Sequence, residues 1–256
     1  MAVPEMRGPT TARPDPMTTK ALFRRGYFIN WDTGRPHPLA RVYAKELSLA
    51  VQHLEPNGRH VLDVGCGPGR FAIAFASAGA AAVTATDISS RVLTEARRRC
   101  EDASIRGRIA FCAGDAEHLP YRTGTFEAVS CMQTFVHLTD PERAAREMFR
   151  VCRHGGRFVA TATNQDRSWA WRYPSVATAE FLFDRFPDDL RAKVQQLASS
   201  SWLSKLFHLD GGLSAPHRGF TMSAFRSLFE SVGFVVEEEL AIGHPAVFFF
   251  IAGRKP

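Results

Sequence analysis

Between about residues 60 and 162, the chain alternates short apolar runs with longer segments whose apolar residues recur at a helical period. A short apolar run bounded by turn residues is typical of a buried parallel strand. The predicted strands are 60–64, 81–86, 109–113, 126–132 and 157–162, and the predicted helices between them are 71–78, 91–101 and 141–151. This alternation predicts a doubly wound α/β fold, because right-handed crossovers then place helices on both faces of a mostly parallel sheet.

Flanking segments extend this core on both sides. Apolar residues at helical spacing predict a helix over Ala40–Leu54, which a Pro-Asn-Gly turn ends. Beyond the core, the pattern predicts a helix at 222–232 and strands at 234–240 and 246–252. If those last strands form an antiparallel pair at one edge, the sheet has seven strands.

The remaining segments complete the predicted domain organisation. Residues 1–20 are rich in proline and are predicted to be a disordered leader. Residues 21–163 are the N-terminal helices and the core. Residues 164–219 break the alternation and carry many aromatic side chains, which linkers lack, so they are interpreted as a mostly helical insertion that covers the substrate as a lid. Residues 220–256 return to the core.

Composition narrows the function classes. The formal net charge is +6, but no dense Lys/Arg run is interleaved with aromatic residues, so we expect no nucleic-acid partner. The five cysteines form no CxxC pair, which indicates neither a zinc site nor a disulfide framework and fits the cytoplasm. No segment resembles a membrane span or a signal peptide. We therefore expect a soluble protein, either a monomer or a homodimer, with no metal.

The most informative motif is the glycine-rich turn Val61-Leu-Asp-Val-Gly-Cys-Gly-Pro-Gly69 after the first core strand. Glycines there let a ligand lie against the backbone at the carboxyl end of a strand. The spacing is G-x-G-x-G, with Arg70 where a dinucleotide-binding G-x-G-x-x-G motif has its third glycine. The Asp63 carboxylate would repel a pyrophosphate and suits a cationic amino-acid group. The motif favours such a ligand over NAD, which stays as the alternative.

Asp87 ends the second predicted strand, eighteen residues after Gly69. A carboxylate at this place can accept hydrogen bonds from both hydroxyls of a ribose. The alternative is that Asp87 caps the following helix, although Ser89 or Ser90 could fill that position.

Together these features resemble class I S-adenosylmethionine-dependent methyltransferases, and within them the methyltransferase type 11 group of ubiquinone/menaquinone methyltransferase-like proteins. The resemblance rests on residues 61–69, Asp87, 114–120, 126–137 and 154–157. It covers residues 41–162 and resumes over 220–234. It implies a Rossmann-like methyltransferase fold, S-adenosylmethionine as cofactor and S-adenosylhomocysteine as product.

The resemblance also assigns roles to residues. Glycines of the turn would admit the methionine part of the cofactor, Asp63 would help to hold its amino group, and Gln133 would line the same end. Asp87 would bind the ribose, while Asp115 and Ala116 would bind the adenine, against which Ile88 would pack. The complete predicted cofactor site is Asp63, Gly65, Cys66, Gly67, Gly69, Asp87, Ile88, Asp115, Ala116 and Gln133.

The acceptor side is less constrained by the sequence. Methyl transfer from a sulfonium is an in-line displacement, so a base is needed only when the acceptor is protonated. His137 follows the fourth core strand and is the candidate base, with a purely structural role as the alternative. The predicted substrate pocket is Tyr27, Trp31, Trp169, Trp171, His208 and His217. The expected acceptor is a small apolar or aromatic metabolite of small-molecule biosynthesis; the alternatives are an RNA- or protein-directed methyltransferase and a cofactor-binding pseudoenzyme.

Overall fold

The computed structural model describes residues 39–101, 105, 107–166 and 219–256. The helices are α1 Ala40–Leu54, α2 Arg70–Ser77, α3 Ser90–Glu101, α4 Pro141–Val151 and α5 Met222–Glu230, with a short 3-10 helix at Phe135–His137. The strands are β1 His60–Val64, β2 Ala82–Asp87, β3 Ile109–Ala113, β4 Phe126–Cys131, β5 Cys152–Thr163, β6 Val235–Ile242 and β7 Phe248–Arg254. Within the described ranges, no helix is long and apolar enough to cross a membrane.

The strands form one seven-stranded sheet in the order β3-β2-β1-β4-β5-β7-β6. The pairs among β1 to β5 are parallel, while β7 lies antiparallel to both β5 and β6. The predicted doubly wound, seven-stranded and mostly parallel sheet is therefore confirmed. Strand order reverses beside β1, and a crevice at the carboxyl ends of the strands forms at such a reversal.

The start of α4 shows how local sequence sets an element boundary. The Asp140 carboxylate accepts a hydrogen bond of 3.0 Å from the backbone N–H of Arg143, and Pro141 occupies the first turn. An aspartate cap followed by proline is the sequence signature of a helix N-terminus, as predicted. One face of the helix, which includes Ala144 and Met148, is fully buried against the sheet.

The sequence placed the boundary between α4 and β5 wrongly. The apolar pattern predicts a helix that ends at 151 and a strand over 157–162, but β5 begins at Cys152. The register against β4 shifts between Phe126 and Ala128, which pair with Cys152 and Arg157. Gly155 has a φ of 70° inside this irregular stretch. A bulge accommodates the extra residues, so the glycines bend a strand instead of ending a helix.

Phenylalanine rings fill much of the layer between the sheet and α5. Phe158 on β5 stacks on Phe229 of α5 with ring centroids 5.0 Å apart, and Phe234 lies 4.2 Å from Phe158. Phe135 meets Phe225 and Phe229 edge-on. The chain has 20 phenylalanines, and these five are buried in the core.

The segment 164–219 leaves and rejoins the core at one point. The backbone N–H of Phe220 donates to the Thr163 carbonyl at 3.1 Å, and that of Gln165 donates to the Phe220 carbonyl at 2.9 Å. Both ends of the segment therefore lie just beyond the carboxyl end of β5. Residues 167–218 of the lid predicted at 164–219, and the predicted leader, lie outside the described residues.

Candidate active site

The glycine-rich turn joins β1 to α2 at the carboxyl edge of the sheet. The backbone N–H groups of Gly65 and Cys66 both donate to the Thr86 carbonyl on β2, at 2.7 and 3.0 Å. Gly65, Gly67 and Gly69 have φ values of 67°, 53° and 87°, a region that glycine adopts without steric cost. The turn is thus fixed to β2, and its shape depends on glycine at alternate positions.

The three glycines differ in what surrounds them. A Cβ on Gly65 would collide with the Thr134 side chain, and a Cβ on Gly69 would lie 3.3 Å from the Ala96 Cβ on α3. A Cβ on Gly67 would have no described atom within 4 Å. Only Gly67 therefore leaves open space for a ligand beside the backbone, while the other two are required by the protein's own packing.

Asp87 lies at the end of β2, facing the glycine turn. Its Oδ2 accepts a 3.0 Å hydrogen bond from the backbone N–H of Gly67, and its Oδ1 accepts one of 2.9 Å from that of Ser89. Burial raises the pKa of Asp87, and the backbone N–H groups oppose the rise. Each carboxylate oxygen can accept a further hydrogen bond. The helix cap is Ser89, whose hydroxyl accepts from the Val92 N–H at 3.4 Å, while Asp87 accepts from the N–H of that cap residue.

Asp63 lies on β1 just below the turn and is buried. Its Oδ1 accepts a 2.5 Å hydrogen bond from the Ser130 hydroxyl on β4, whereas its Oδ2 is buried without a hydrogen-bond partner in the described part of the chain. Burial raises the pKa of Asp63 to about 7; the Ser130 hydrogen bond opposes the rise and the charge of Asp87 adds to it. A buried carboxylate with an unused oxygen favours a cationic ligand group nearby.

Asp115 and Ala116 follow β3, next to Asp87 across the sheet edge. The backbone N–H of Gly114 donates to the Asp87 carbonyl at 3.0 Å, which links the two strand ends. Asp115 accepts a 3.0 Å hydrogen bond from the Glu117 N–H through Oδ1, so its carboxylate is held in a tight turn. Ile88 lies between these groups along the chain and is half-buried. The structure therefore brings together the residues predicted to bind ribose and adenine.

Gln133 lies beyond β4 at the other end of the crevice. Its backbone N–H donates to the Thr161 hydroxyl of β5 at 2.9 Å, and its Nε2 donates to Oε2 of Glu46 at 2.6 Å. Glu46 belongs to α1 and is completely buried. Residues of α1, of β5 and of the loop after β4 thus form a polar cluster at the predicted methionine end.

Comparison with known proteins agrees with this geometry. Residues 62–160 match a family model described as a methyltransferase domain. This stretch is a class I methyltransferase domain of the type 11 group. It spans the glycine turn, Asp87, Asp115 and Gln133, which are the positions on which the resemblance was based. S-adenosylmethionine is the methyl donor that this class of domain uses, which agrees with the predicted cofactor.

The chain is similar to two curated methyltransferases. The chain is 35% identical to the methyltransferase GfsG of Streptomyces halstedii over 48% of its own length and 44% of that protein. It is 29% identical to a ubiquinone biosynthesis O-methyltransferase of Coxiella burnetii over 60% of its length and 64% of that protein. The chain therefore spans less than two thirds of either relative.

A solved structure extends the match to most of the chain. The fold of the cyclase SpnF superposes with a TM-score of 0.63 over 93% of each chain, at 16% sequence identity. At this identity the match shows a shared fold and nothing more. The match nevertheless extends beyond residues 62–160, as the seven-stranded sheet does through β6 and β7.

Of the residues predicted on the acceptor side, the structure describes only the candidate base, His137. His137 ends the short 3-10 helix after β4, and its backbone N–H donates to the Thr134 carbonyl at 2.9 Å. His137 is half-buried and follows Gln133 by four residues along the chain. The predicted pocket residues Tyr27, Trp31, Trp169, Trp171, His208 and His217 lie outside the described residues. Among the residues that are described, no cluster of His, Cys, Asp and Glu could hold a metal ion.

Sequence reasoning missed the supporting residues of the site. Ser130 and Thr161 are ordinary strand residues, and nothing in the local pattern marks them. Glu46 carries a signal, because it falls three residues after Tyr43 and four before Ala50, on the apolar face of α1. A charged residue at a position that a helix buries requires a partner.

Proposed function

We propose that the protein is an S-adenosylmethionine-dependent methyltransferase that transfers a methyl group to a hydroxyl of a small apolar or aromatic metabolite. The observation that carries the cofactor assignment is the pairing of Asp87 with open space at Gly67. The carboxylate is fixed by the Gly67 and Ser89 backbone N–H groups, and the ligand face of Gly67 is clear of described atoms.

The residues present fit this cofactor and not a dinucleotide. Asp63 places a buried carboxylate oxygen without a partner directly below the turn. A pyrophosphate would bring further negative charge to a site that already contains Asp63 and Asp87, and the interaction would be unfavourable at low local dielectric. An amino-acid ammonium group would instead compensate the Asp63 charge, and ribose hydroxyls would donate to Asp87.

Each group has a separate part in the proposed reaction. Asp87 binds the ribose, Asp115 and Ala116 bind the adenine, and Asp63 and Gln133 hold the amino-acid end. When bound, the cofactor supplies an electrophilic methyl group on a sulfonium. The reaction that this cofactor would supply is displacement at its methyl carbon by the acceptor oxygen, with the thioether S-adenosylhomocysteine as the leaving group, and the His137 ring would take the hydroxyl proton. The chain's contribution is alignment and removal of that proton.

Support for the acceptor class comes from two sources. The ubiquinone biosynthesis relative is named as an O-methyltransferase, which suggests a hydroxyl acceptor of small size. The 164–219 segment, which carries Trp169 and Trp171, begins and ends at the carboxyl end of β5 beside Thr161. Aromatic side chains attached there would suit an apolar or ring-bearing acceptor. We further propose a cytoplasmic monomer or homodimer without a nucleic-acid partner.

Calorimetric titration with S-adenosylmethionine, S-adenosylhomocysteine and NAD tests the cofactor. We expect binding of the first two and no binding of NAD; binding of NAD alone would refute the proposal. Turnover is tested with methyl-labelled S-adenosylmethionine and a panel of phenolic and aliphatic hydroxyl compounds, with tRNA and a cell protein extract alongside. Label in a small molecule supports the acceptor class, while label only in RNA or protein contradicts it. A protein that binds cofactor but labels none of these would be the pseudoenzyme.

A further inference from the structure

Glu46 is a buried carboxylate with three polar side chains directed at it. Its Oε2 accepts from Arg70 and from Nε2 of Gln133, both at 2.6 Å, and its Oε1 accepts from the Thr161 hydroxyl at 2.8 Å. The Glu46 side chain has no exposed surface, whereas the Arg70 side chain retains 21%. The cluster thus has a fully buried acidic centre and an arginine side chain that keeps part of its surface exposed.

Gln133 is held in an unusual backbone conformation by this cluster. Its φ is 55°, a region that side chains other than glycine rarely adopt. Such a conformation persists when surrounding contacts impose it, and here Thr161 holds the backbone N–H while Glu46 holds the side-chain amide. Because the amide NH2 is directed to Glu46, the Oε1 carbonyl oxygen of Gln133 is directed away from it and is available as an acceptor.

Arg70 connects the cluster to the glycine turn. It follows Gly69 as the first residue of α2, and its guanidinium carbon lies 4.3 Å from the Phe71 ring centre and 5.4 Å from that of Tyr43. These rings and Glu46 restrict the side chain to one region. Its positive charge also acts on Asp63, whose pKa it lowers slightly against the effect of burial. The guanidinium is therefore near the groups expected at the amino-acid end of the cofactor.

We propose that Glu46 is a positioning residue for the recognition of that amino-acid end, and that Arg70 is the partner of its carboxylate. Glu46 orients the Arg70 guanidinium toward the α-carboxylate and the Gln133 amide oxygen toward the α-ammonium. One buried carboxylate thereby prepares a cation and an acceptor for a zwitterion. This inference rests on the proposed cofactor.

Simple attachment of α1 to the sheet does not account for the cluster. The helix already buries Val42, Tyr43, Leu49 and Leu54. Replacing a buried ion pair by packed apolar side chains is often neutral or stabilising, so stability alone gives little reason for a glutamate here. A function that requires a fixed guanidinium and a fixed amide does give one, because rigid donors and acceptors bind a ligand without paying for reorganisation.

Comparison of S-adenosylhomocysteine with 5′-methylthioadenosine tests the inference. Both contain the adenosine, but only the first has the amino-acid end. In Glu46→Gln, we expect the affinity for S-adenosylhomocysteine to fall by about 10- to 100-fold, the range for a lost hydrogen bond to a charged group. The affinity for 5′-methylthioadenosine should stay within about threefold of the wild-type value, because its contacts do not involve the cluster.

Arg70 variants separate the carboxylate from the ammonium. Arg70→Met should weaken S-adenosylmethionine by about tenfold or more and leave decarboxylated S-adenosylmethionine nearly unchanged, since only the former has the carboxylate. Arg70→Lys, which keeps the charge, should recover part of the loss. Glu117→Gln is the matched control for Glu46→Gln, because Glu117 is also a buried carboxylate but accepts from the Thr139 and Asp140 N–H groups. Glu117→Gln should not change the ratio of the affinities for S-adenosylhomocysteine and 5′-methylthioadenosine.

The outcomes distinguish this inference from the proposed function. Wild-type protein that binds neither S-adenosylhomocysteine nor 5′-methylthioadenosine would remove the cofactor proposal itself. Wild-type binding with unchanged S-adenosylhomocysteine affinity in Glu46→Gln would overturn the inference alone. So would a Glu46→Gln variant that weakens both ligands equally, because that result indicates a general structural role.

Discussion

Ser130 on β4 donates a 2.5 Å hydrogen bond to Asp63 on the adjacent strand β1, and both side chains are buried. This bond satisfies one carboxylate oxygen of Asp63 and leaves the other without a partner among the described residues. Burial outweighs the hydrogen bond, so the pKa of Asp63 rises from 3.8 to about 7. The carboxyl group below the glycine turn therefore changes its charge near neutral pH.

This pKa predicts a pH-dependent stability of the ligand-free protein. Folded Asp63 keeps its proton at pH values where the unfolded chain has lost it, so its contribution is fully present below pH 3.8 and is lost as pH rises through about 7. The free energy of unfolding should fall relative to that of Asp63→Asn by roughly 1.4 kcal/mol per pH unit within this window. Urea denaturation of both proteins at several pH values from 5 to 8 measures the difference.

Asp63→Asn is its own control for other titrating groups, because their contributions cancel in the difference between the two proteins. A second control is Ser130→Ala, which removes the hydrogen bond that opposes the effect of burial. It should move the window to higher pH. Parallel stability curves for wild type and Asp63→Asn would contradict the assignment.

The geometry of the glycine turn predicts that a substitution at Gly67 affects cofactor binding as well as stability, whereas one at a comparable glycine elsewhere affects stability alone. Gly67→Ala places a methyl group in the space left for the ligand, where no described atom lies within 4 Å, and imposes the strain of a φ of 53°. We expect it to lower stability by about 1–2 kcal/mol, the cost of a left-handed alanine, and to reduce cofactor affinity by at least about tenfold. Denaturation and calorimetric titration with S-adenosylhomocysteine measure the two effects.

Gly58 provides the matched control for Gly67. It also has a positive φ, 71°, and open space around a Cβ, but it lies in the turn before β1 at the opposite edge of the sheet. Gly58→Ala should cost similar stability and leave affinity unchanged. Equal affinities for the Gly67→Ala and Gly58→Ala variants would show that the ligand does not pass over Gly67.

The helices and strands with periodic apolar residues could be predicted from the sequence, because the spacing of those residues shows which face of each element is buried. The bounds of α1, β1, β3 and α4 are as expected, since apolar spacing, Pro141 and the cap Asp140 define them locally. The start of β5 was missed, because a bulge depends on the register of the neighbouring strand and not on the bulged residues alone.

The grouping of the candidate site residues could be predicted where each residue follows the end of a core strand. The glycine turn, Asp87 and Asp115 follow successive strand ends, and parallel strands bring these ends to one edge. Glu46 was not assigned to the site, because its partners Gln133 and Thr161 are distant in sequence. Such a contact arises from tertiary packing, and the one local signal is the position of Glu46 on the apolar face of α1.

We expect the loss of the Asp87 carboxylate to reduce the affinity for the cofactor, an effect that a helix-capping role alone would not cause. Removing the proposed hydrogen bonds to the ribose in Asp87→Ala should weaken S-adenosylhomocysteine binding by about 2–4 kcal/mol, or roughly 30- to 1000-fold. Ser89→Ala removes only the hydroxyl that accepts from the Val92 N–H, so it should affect stability and leave affinity within about twofold. Titration of both variants measures the contrast. Unchanged affinity in Asp87→Ala would remove the ribose assignment.

We expect a substitution of His137 to reduce turnover without reducing cofactor binding. If its ring accepts the hydroxyl proton, His137→Ala should lower kcat by about 10²- to 10⁴-fold, the usual contribution of a general base, and leave S-adenosylhomocysteine affinity nearly unchanged. The defect should shrink for acceptors whose hydroxyl is already ionised at the assay pH, because these need no base. Rates for a series of phenols of decreasing pKa test this dependence. A uniform defect across the series would instead indicate that the 3-10 helix of Phe135–His137 positions the acceptor and that another group, or water, takes the proton.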